Sequence, residues 1–284
     1  MTISANFHHH RVNISGTDGE DQIIISRDGS GHLLANGQPV DDATVSNTDL
    51  IRVNGGDGGD VIALDETGGP LPAADLSGGN GNDTLIGGSA NDQLLGGDGN
   101  DFLIGGAGND TLRGGRGNDF VDGDQGADTA FLGAGNDVFR WDQGDGSDRV
   151  DGGSGFDELL FNGFGVAEQF TLSGSGGHAL FTRVQGSIVM DLTNIEHVTI
   201  NPFAGADTVT INDPTGTGVS DVDINLGFDT FGDQININDD DDVQVVVGQN
   251  GNLTILGLSG ATVHITGFEA GTDHLLINGD LFPV

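Results

Sequence analysis

From Gly78 to Leu160 the chain repeats itself every nine residues, and any fold it adopts has to satisfy that period. The units read GGNGNDTLI, GGSANDQLL, GGDGNDFLI, GGAGNDTLR and GGRGNDFVD, then more loosely GDQGADTAF and LGAGNDVFR. Asp stands sixth in each, and position eight is a file of Leu85, Leu94, Leu103, Leu112, Val121, Ala130 and Phe139. Side chains alternate along a strand, so with position eight inward, positions seven and nine face out. The preceding glycines permit positive φ and a sharp bend without a Cβ clash. Each unit is therefore a three-residue strand plus a tight turn. Nine residues cannot bury such a file alone, so units must stack, two to an 18-residue coil.

Stacking decides where the aspartates go. Asp83, Asp101, Asp119 and Asp137 form one ladder, and Asp92, Asp110 and Asp128 the other. Coils lie about 4.8 Å apart, so these carboxylates repel unless something positive stands between them. Arginine is nearly absent from the turns. The turns do offer backbone carbonyls, those of Gly78, Gly79, Gly81, Gly87, Gly88, Gly96, Gly97, Gly99, Gly105, Gly106, Gly108, Gly114, Gly115 and Gly117. Carboxylate and carbonyl oxygens in a flexible cage suit Ca²⁺, whereas Mg²⁺ demands a stricter octahedron. With no cysteine in the chain and no histidine in the repeats, soft-ligand metals fit poorly. Neighbour counting places ions at 83/101, 101/119 and 119/137 on one ladder and at 92/110 and 110/128 on the other.

The register breaks once. Asp137 to Asp148 is 11 residues, with Trp141 and Asp142 as the insert, and Asp148 to Asp157 returns to nine, which extends the ladders through 128/148 and 137/157. Ala90 replaces the fourth glycine of its unit, which predicts a strained Asp92 turn if that position needs positive φ. Asp124 and Leu132 replace glycines at positions two and one, and Ala130 leaves room in the core that Phe139 is expected to fill.

The pattern G-G-x-G-x-D-x-U-x, with U apolar, resembles the RTX (repeats-in-toxin, haemolysin-type) calcium-binding β-roll proteins. The resemblance is close over 78–161 and loose elsewhere. It implies an all-β, parallel β-roll or β-helix solenoid holding several Ca²⁺ ions. It also implies a secreted, extracellular or cell-surface protein exported unfolded by type I secretion machinery and folding outside. The C-terminal DHLLINGDLFPV could be part of an export signal.

Three regions are expected: N-terminal capping coils over 1–77, the roll over 78–161 and a C-terminal β-solenoid region over 162–284. In the first, GGDGGDVIA fits the nine-residue pattern with Asp60 sixth, GTDGEDQII is a looser version ending at Asp21, and 67–77 reads as a loop. In the third, apolar and polar residues alternate between turn clusters, and GADTVTI with Asp207 echoes the repeat. No segment has capped helical periodicity, so almost no helix is expected. Asp239 to Asp242 read as a solvated turn, with surface calcium binding as the other reading.

Net charge decides the partners. At −36, with 44 acidic residues against eight basic ones, the chain repels nucleic acid and anionic membrane surfaces. No stretch has the length of a membrane-spanning helix, and the start lacks the apolar core of a signal peptide. His8, His9 and His10 read as incidental rather than as a metal site, and His178, His197, His264 and His274 as structural, hydrogen-bonded residues. The chain has no tyrosine and its basic residues are all arginine, and no nucleophile elbow, zincin helix or P-loop is present, so no enzyme is expected. The remaining readings are a calcium-folded structural or export module, or a calcium-dependent adhesin or polysaccharide-binding protein. The outward residues Thr84, Ile86, Gln93, Leu95, Phe102 and Ile104 suit either partner contact or cover by a flanking loop.

Overall fold

A computed structural model describes residues 3–227, 231–239, 243–248, 252–258, 261–269 and 271–283. Every regular element in them is a β-strand except a single 3₁₀ turn at Glu66–Gly68. The chain divides into two compact units, residues 1–138 with 144–148, and residues 139–143 with 149–284.

In the first unit consecutive strands alternate between two parallel sheets. One holds Leu50–Asp57, Ala74–Asn80, Gln93–Asp98, Thr111–Arg116 and Thr129–Ala134, and the other Gln22–Arg27, Val61–Leu64, Thr84–Ile86, Phe102–Ala107 and Phe120–Gln125. The register is 18 residues per coil, with Leu94 opposite Leu112 and Leu103 opposite Val121. Leu85, Leu94, Leu103, Leu112, Val121 and Ala130 are all buried between the sheets. Each such leucine contributes at most about 2 kcal/mol by removal from water. Leu132, on the same face two residues after Ala130, is also fully buried.

The strands are longer than the period predicts. Phe102–Ala107 and Thr111–Arg116 carry on through the next two glycines, and Gly97 pairs with Gly115. The pairing is satisfied by backbone alone, so side-chain alternation underestimates its length. Likewise 67–77 is not all loop, because Ala74–Asn80 is a strand paired with Leu50–Asp57 and Gln93–Asp98. Its prolines stand ahead of it, and Ala74 and Leu76 are buried in alternation. The end of the unit is not made of wider parallel coils only. Ser4–His8 pairs antiparallel with Arg11–Ser15, and Gln22–Arg27, His32–Ala35 and Gln38–Thr44 form an antiparallel meander.

The second unit repeats the plan with antiparallel insertions. Glu158–Asn162, His197–Asn201, Asp221–Asn225 and Ala261–Thr266 lie parallel in one sheet. In the other, Gln169–Ser175, His178–Arg183 and Ile188–Thr193 form an antiparallel meander, and Thr208–Asn212 pairs parallel with both Gln169–Ser175 and Gln234–Asn238. Its core is aromatic. The inserted Trp141 stacks on Phe161 at 4.1 Å, and Phe170 and Phe181 close round Phe161. Among the described residues no helix is long and apolar enough to cross a membrane.

Candidate metal centre

The coil geometry brings the sixth-position aspartates into the two predicted files. In each file one carboxylate oxygen, Oδ1, accepts the backbone N–H of the aspartate one coil earlier. The first file runs Asp83 to Asp101 to Asp119 to Asp137, each bond 2.8 Å long. The second runs Asp92 to Asp110 to Asp128 at 2.7 Å and crosses the insertion to Asp148 at 2.8 Å. The first file also reaches back, for Asp60 N–H donates to Asp83 and Asp21 N–H to Asp60. An amide therefore stands between successive carboxylates, a partner that charge counting alone does not supply.

Half of each carboxylate is left over. In Asp60, Asp83, Asp101, Asp110, Asp119, Asp128 and Asp148 the Oδ2 atom is closed to solvent and accepts no hydrogen bond. In Asp60, Asp83, Asp101, Asp110, Asp119 and Asp128 it faces the first glycine of its own turn, and a methyl group on Gly96 would lie 2.3 Å from Asp101 Oδ2 and 2.7 Å from Gly114 O. The same pairing recurs at Gly105, which faces Asp110 Oδ2 and Gly123 O, and at Gly114, which faces Asp119 Oδ2 and Leu132 O. The rungs of Asp60, Asp101, Asp110 and Asp119 thus gather an unpartnered carboxylate oxygen and a carbonyl oxygen over a Cα that only glycine leaves bare. The carbonyls of Gly79, Gly81, Gly97, Gly99, Gly108, Gly115 and Gly117 stack against glycines of the following coil, and those of Gly78 and Gly105 face Gly55 and Gly87. Gly87, Gly96 and Gly106 belong to the same turns. The Gly88 carbonyl is taken by the Ala107 N–H.

Such an oxygen, ionised and dry, is costly without a positive partner. Burial accordingly pushes Asp110, Asp119, Asp128 and Asp148 up to about 7, and Asp83 and Asp92 to about 6, with neighbouring carboxylates adding to the rise. Asp60, Asp101 and Asp137 move the same way. A buried, all-oxygen donor set that demands positive charge fits Ca²⁺.

The Asp92 turn differs. Neither Gly88 nor Ala90 takes positive φ, so the strain expected of Ala90 is absent and the turn is reshaped instead. Gly88 N–H then donates to Asp92 Oδ2 at 2.7 Å, which satisfies the oxygen that stays bare elsewhere. Asp124 does take positive φ, at 58°, in a glycine's place, a conformation Asp tolerates better than most residues.

A family profile for the RTX calcium-binding nonapeptide repeat matches in four copies over residues 77–112, 104–139 and 144–159. These are RTX calcium-binding repeats. RTX repeats of this kind bind Ca²⁺ between their turns, and this chain carries several. No curated protein matches the chain. Among solved structures it is similar to the extracellular lipase LipA from Serratia marcescens, at 12% identity and a TM-score of 0.21, over 76% of this chain. The match spans only 44% of the lipase, and a score that low carries nothing over to this chain.

Two features of the RTX turns have no counterpart in the aspartate reading. The fifth-position asparagines form ladders of opposite sense: Asn82 Oδ1 accepts from Asn100 N–H, Asn100 from Asn118 N–H, and Asn91 from Asn109 N–H. Their signal was the recurrent Asn before Asp. In addition, Asp122, Asp124 and Asp145 bring carboxylate oxygens within 4.8 Å of one another, and their charges act on Asp128 and Asp148. Asp145 comes from the segment after the insert, so no nine-residue register would find it. Asp239 is buried rather than solvated, and 240–242 lie outside the described residues.

Proposed function

We propose that the chain is a calcium-folded structural or export module of a secreted or cell-surface protein, without catalysis of its own. The observation that carries this reading is the row of dry, unpartnered Oδ2 atoms, one per turn, in Asp60, Asp83, Asp101, Asp110, Asp119, Asp128 and Asp148. With the turn carbonyls these oxygens would hold Ca²⁺, and Asp137 and Asp157 complete the ligand set. Asp92 is the weakest member because its Oδ2 is already hydrogen-bonded. The bound ion supplies positive charge and nothing else.

What the chain's residues do is repel until that charge arrives. At −36 the unloaded chain resists compaction, and its glycines add conformational entropy to the unfolded state. A ligand that binds only the folded state stabilises it by RT ln(1 + [L]/Kd), about 2.7 kcal/mol per site at a hundredfold excess. Several sites exceed the whole stability of an ordinary domain. Low calcium inside a cell and high calcium outside would then set where the roll forms, in keeping with type I export. In this reading 1–77 caps the roll of 78–161, and 162–284 is a further β-solenoid region.

The deciding measurement is a calcium titration of far-UV circular dichroism with Asp101→Ala and Asp110→Ala, one from each ladder. Fewer ions bound and a higher midpoint are expected for both, and unchanged stoichiometry would refute the ligand assignment. A second reading, a calcium-dependent adhesin or polysaccharide binder, is favoured by Phe102 and Phe120. On adjacent rungs these rings stack at 5.0 Å with 9° between planes, and Phe102 is 37% exposed. Rings so held suit the apolar face of a sugar. Glycan-array binding lost on chelation would select it.

A further inference from the structure

On the outer face of the second unit, the strands His197–Asn201, Asp221–Asn225 and Ala261–Thr266 run parallel, with His197 opposite Asp221 and Asp223 opposite His264. Val222 and Ile224 point into the core, so Asp221 and Asp223 share the outer face. Two residues along a strand place their Cα atoms roughly 6.6 Å apart, and like charges so placed gain by leaning away from each other. These converge instead. A carboxylate oxygen of each, together with a ring nitrogen of His264, lies within 4.8 Å of the other two.

The distances fit a shared ion better than hydrogen bonds. His264 Nε2 and Asp221 Oδ1 are 3.4 Å apart, beyond the roughly 2.7–3.2 Å of a good N–H···O bond. It matches the edge of a tetrahedron with bonds near 2.1 Å, about 3.4 Å. Asp221 Oδ1 is closed to solvent and accepts no hydrogen bond. On the other side of the ring, His264 Nδ1 lies 3.3 Å from Thr254 Oγ1. With Nδ1–H donating there, Nε2 turns its lone pair toward the carboxylates, an arrangement that calls for a cation between them. His197 Nε2 stands 3.3 Å from Asp223 Oδ2 and can hold that carboxylate in place, as outer-shell partners of metal ligands do.

We propose that Asp221, Asp223 and His264 form a second metal site, for a divalent transition ion such as Zn²⁺, separate from the calcium ladders. The imidazole decides the class, since Ca²⁺ takes oxygen donors while nitrogen with two carboxylates suits Zn²⁺ and its neighbours. Water fills the remaining positions. The site does not depend on where the calcium ligands are.

The test uses the full chain at saturating calcium, with His8, His9 and His10 replaced by alanine so that the terminal histidines add nothing. Zn²⁺ is titrated by calorimetry, and Co²⁺ by its visible d–d absorption. One tight equivalent is expected, with Co²⁺ bands of a four- or five-coordinate nitrogen–oxygen site. His264→Ala and Asp223→Asn should each weaken it by about tenfold or more, and His197→Ala by a similar or smaller factor. Circular dichroism of each variant in calcium verifies folding, and His264→Gln substitutes if His264→Ala misfolds. An unchanged zinc isotherm in the folded His264 and Asp223 variants would overturn the proposal. So would zinc displaced by raising calcium, which would place it on the ladders.

Discussion

The turn that ends in Asp101 and the turn that ends in Glu168 solve one problem in two ways. Both place a carboxylate almost wholly out of water, and both residues stand in a coil-to-coil ladder of backbone N–H to carboxylate bonds. Asp101 Oδ1 accepts from Asp83 N–H, while Glu168 N–H donates to Asp207 Oδ1, Asp207 N–H to Asp233 Oδ1 and Asp233 N–H to Asp273 Oδ1. The second unit therefore keeps an acidic ladder although its coils are uneven, with 39, 26 and 40 residues between rungs. The difference lies in how the carboxylate itself is satisfied. Phe164 N–H and the guanidinium of Arg183 cover Glu168, with Arg183 Nε 2.5 Å from Oε1 and both side chains buried. Asp101 has no such partner, and its Oδ2 stays bare. A rung with its own cation is finished by folding, whereas a rung without one waits for an ion from solution.

Removing calcium attacks that contrast most directly. In excess chelator the strand signal of the first unit should collapse and return at millimolar calcium, but not with equal magnesium. The near-UV signal of Trp141, packed on Phe161 in the second unit, should survive chelation better than hydrogen-exchange protection over 84–134. Equal loss of both would break the comparison.

Next in size is the built-in cation. Arg183→Met leaves Glu168 buried and uncompensated, and should cost about 3–5 kcal/mol in denaturant unfolding at saturating calcium. Adding Glu168→Gln should recover much of that loss. If the single variant unfolds like the parent, Arg183 is not what settles the Glu168 rung.

A smaller effect separates two turns of the roll itself. Asp119→Asn should raise the calcium midpoint about tenfold, because ligand charge sets affinity. Asp92→Asn should move it by less, since Gly88 N–H already holds Asp92 Oδ2. Calorimetry of the two variants side by side checks the order, and the reverse order would contradict the turn geometry.

The smallest expected shift is with pH. Burial holds Asp110, Asp119, Asp128 and Asp148 at about 7 in the folded chain, against an ordinary 3.8. Between those values the folded state binds more protons than the unfolded one, so their stabilising effect is present in acid and lost as pH rises through about 7. In chelator, strand content should therefore be higher at pH 5.5 than at pH 8. In calcium the midpoint should rise on acidification, because protons compete for the same oxygens. Flat profiles from circular dichroism at both settings would mean the carboxylates are better solvated than the fold implies.

The period alone was enough to read which aspartates share a file, the 18-residue coil, the inward file from Leu85 to Ala130 and the all-β class, because each repeats at a spacing short enough to be local. It did not reveal that Ala74–Asn80 is a strand, since only Ala74 and Leu76 alternate ahead of its glycines, which pair by backbone and leave no side-chain rhythm. The tertiary structure alone decided which oxygen of each carboxylate is spent, why Asp92 differs, and which distant residues meet. Arg183 reaches Glu168 through an antiparallel meander, and His264 reaches Asp221 and Asp223 only because an irregular coil returns beside them. Periodic order propagates from neighbour to neighbour along the chain, but charge compensation depends on distances through space, which this sequence fixes only once its coils have closed.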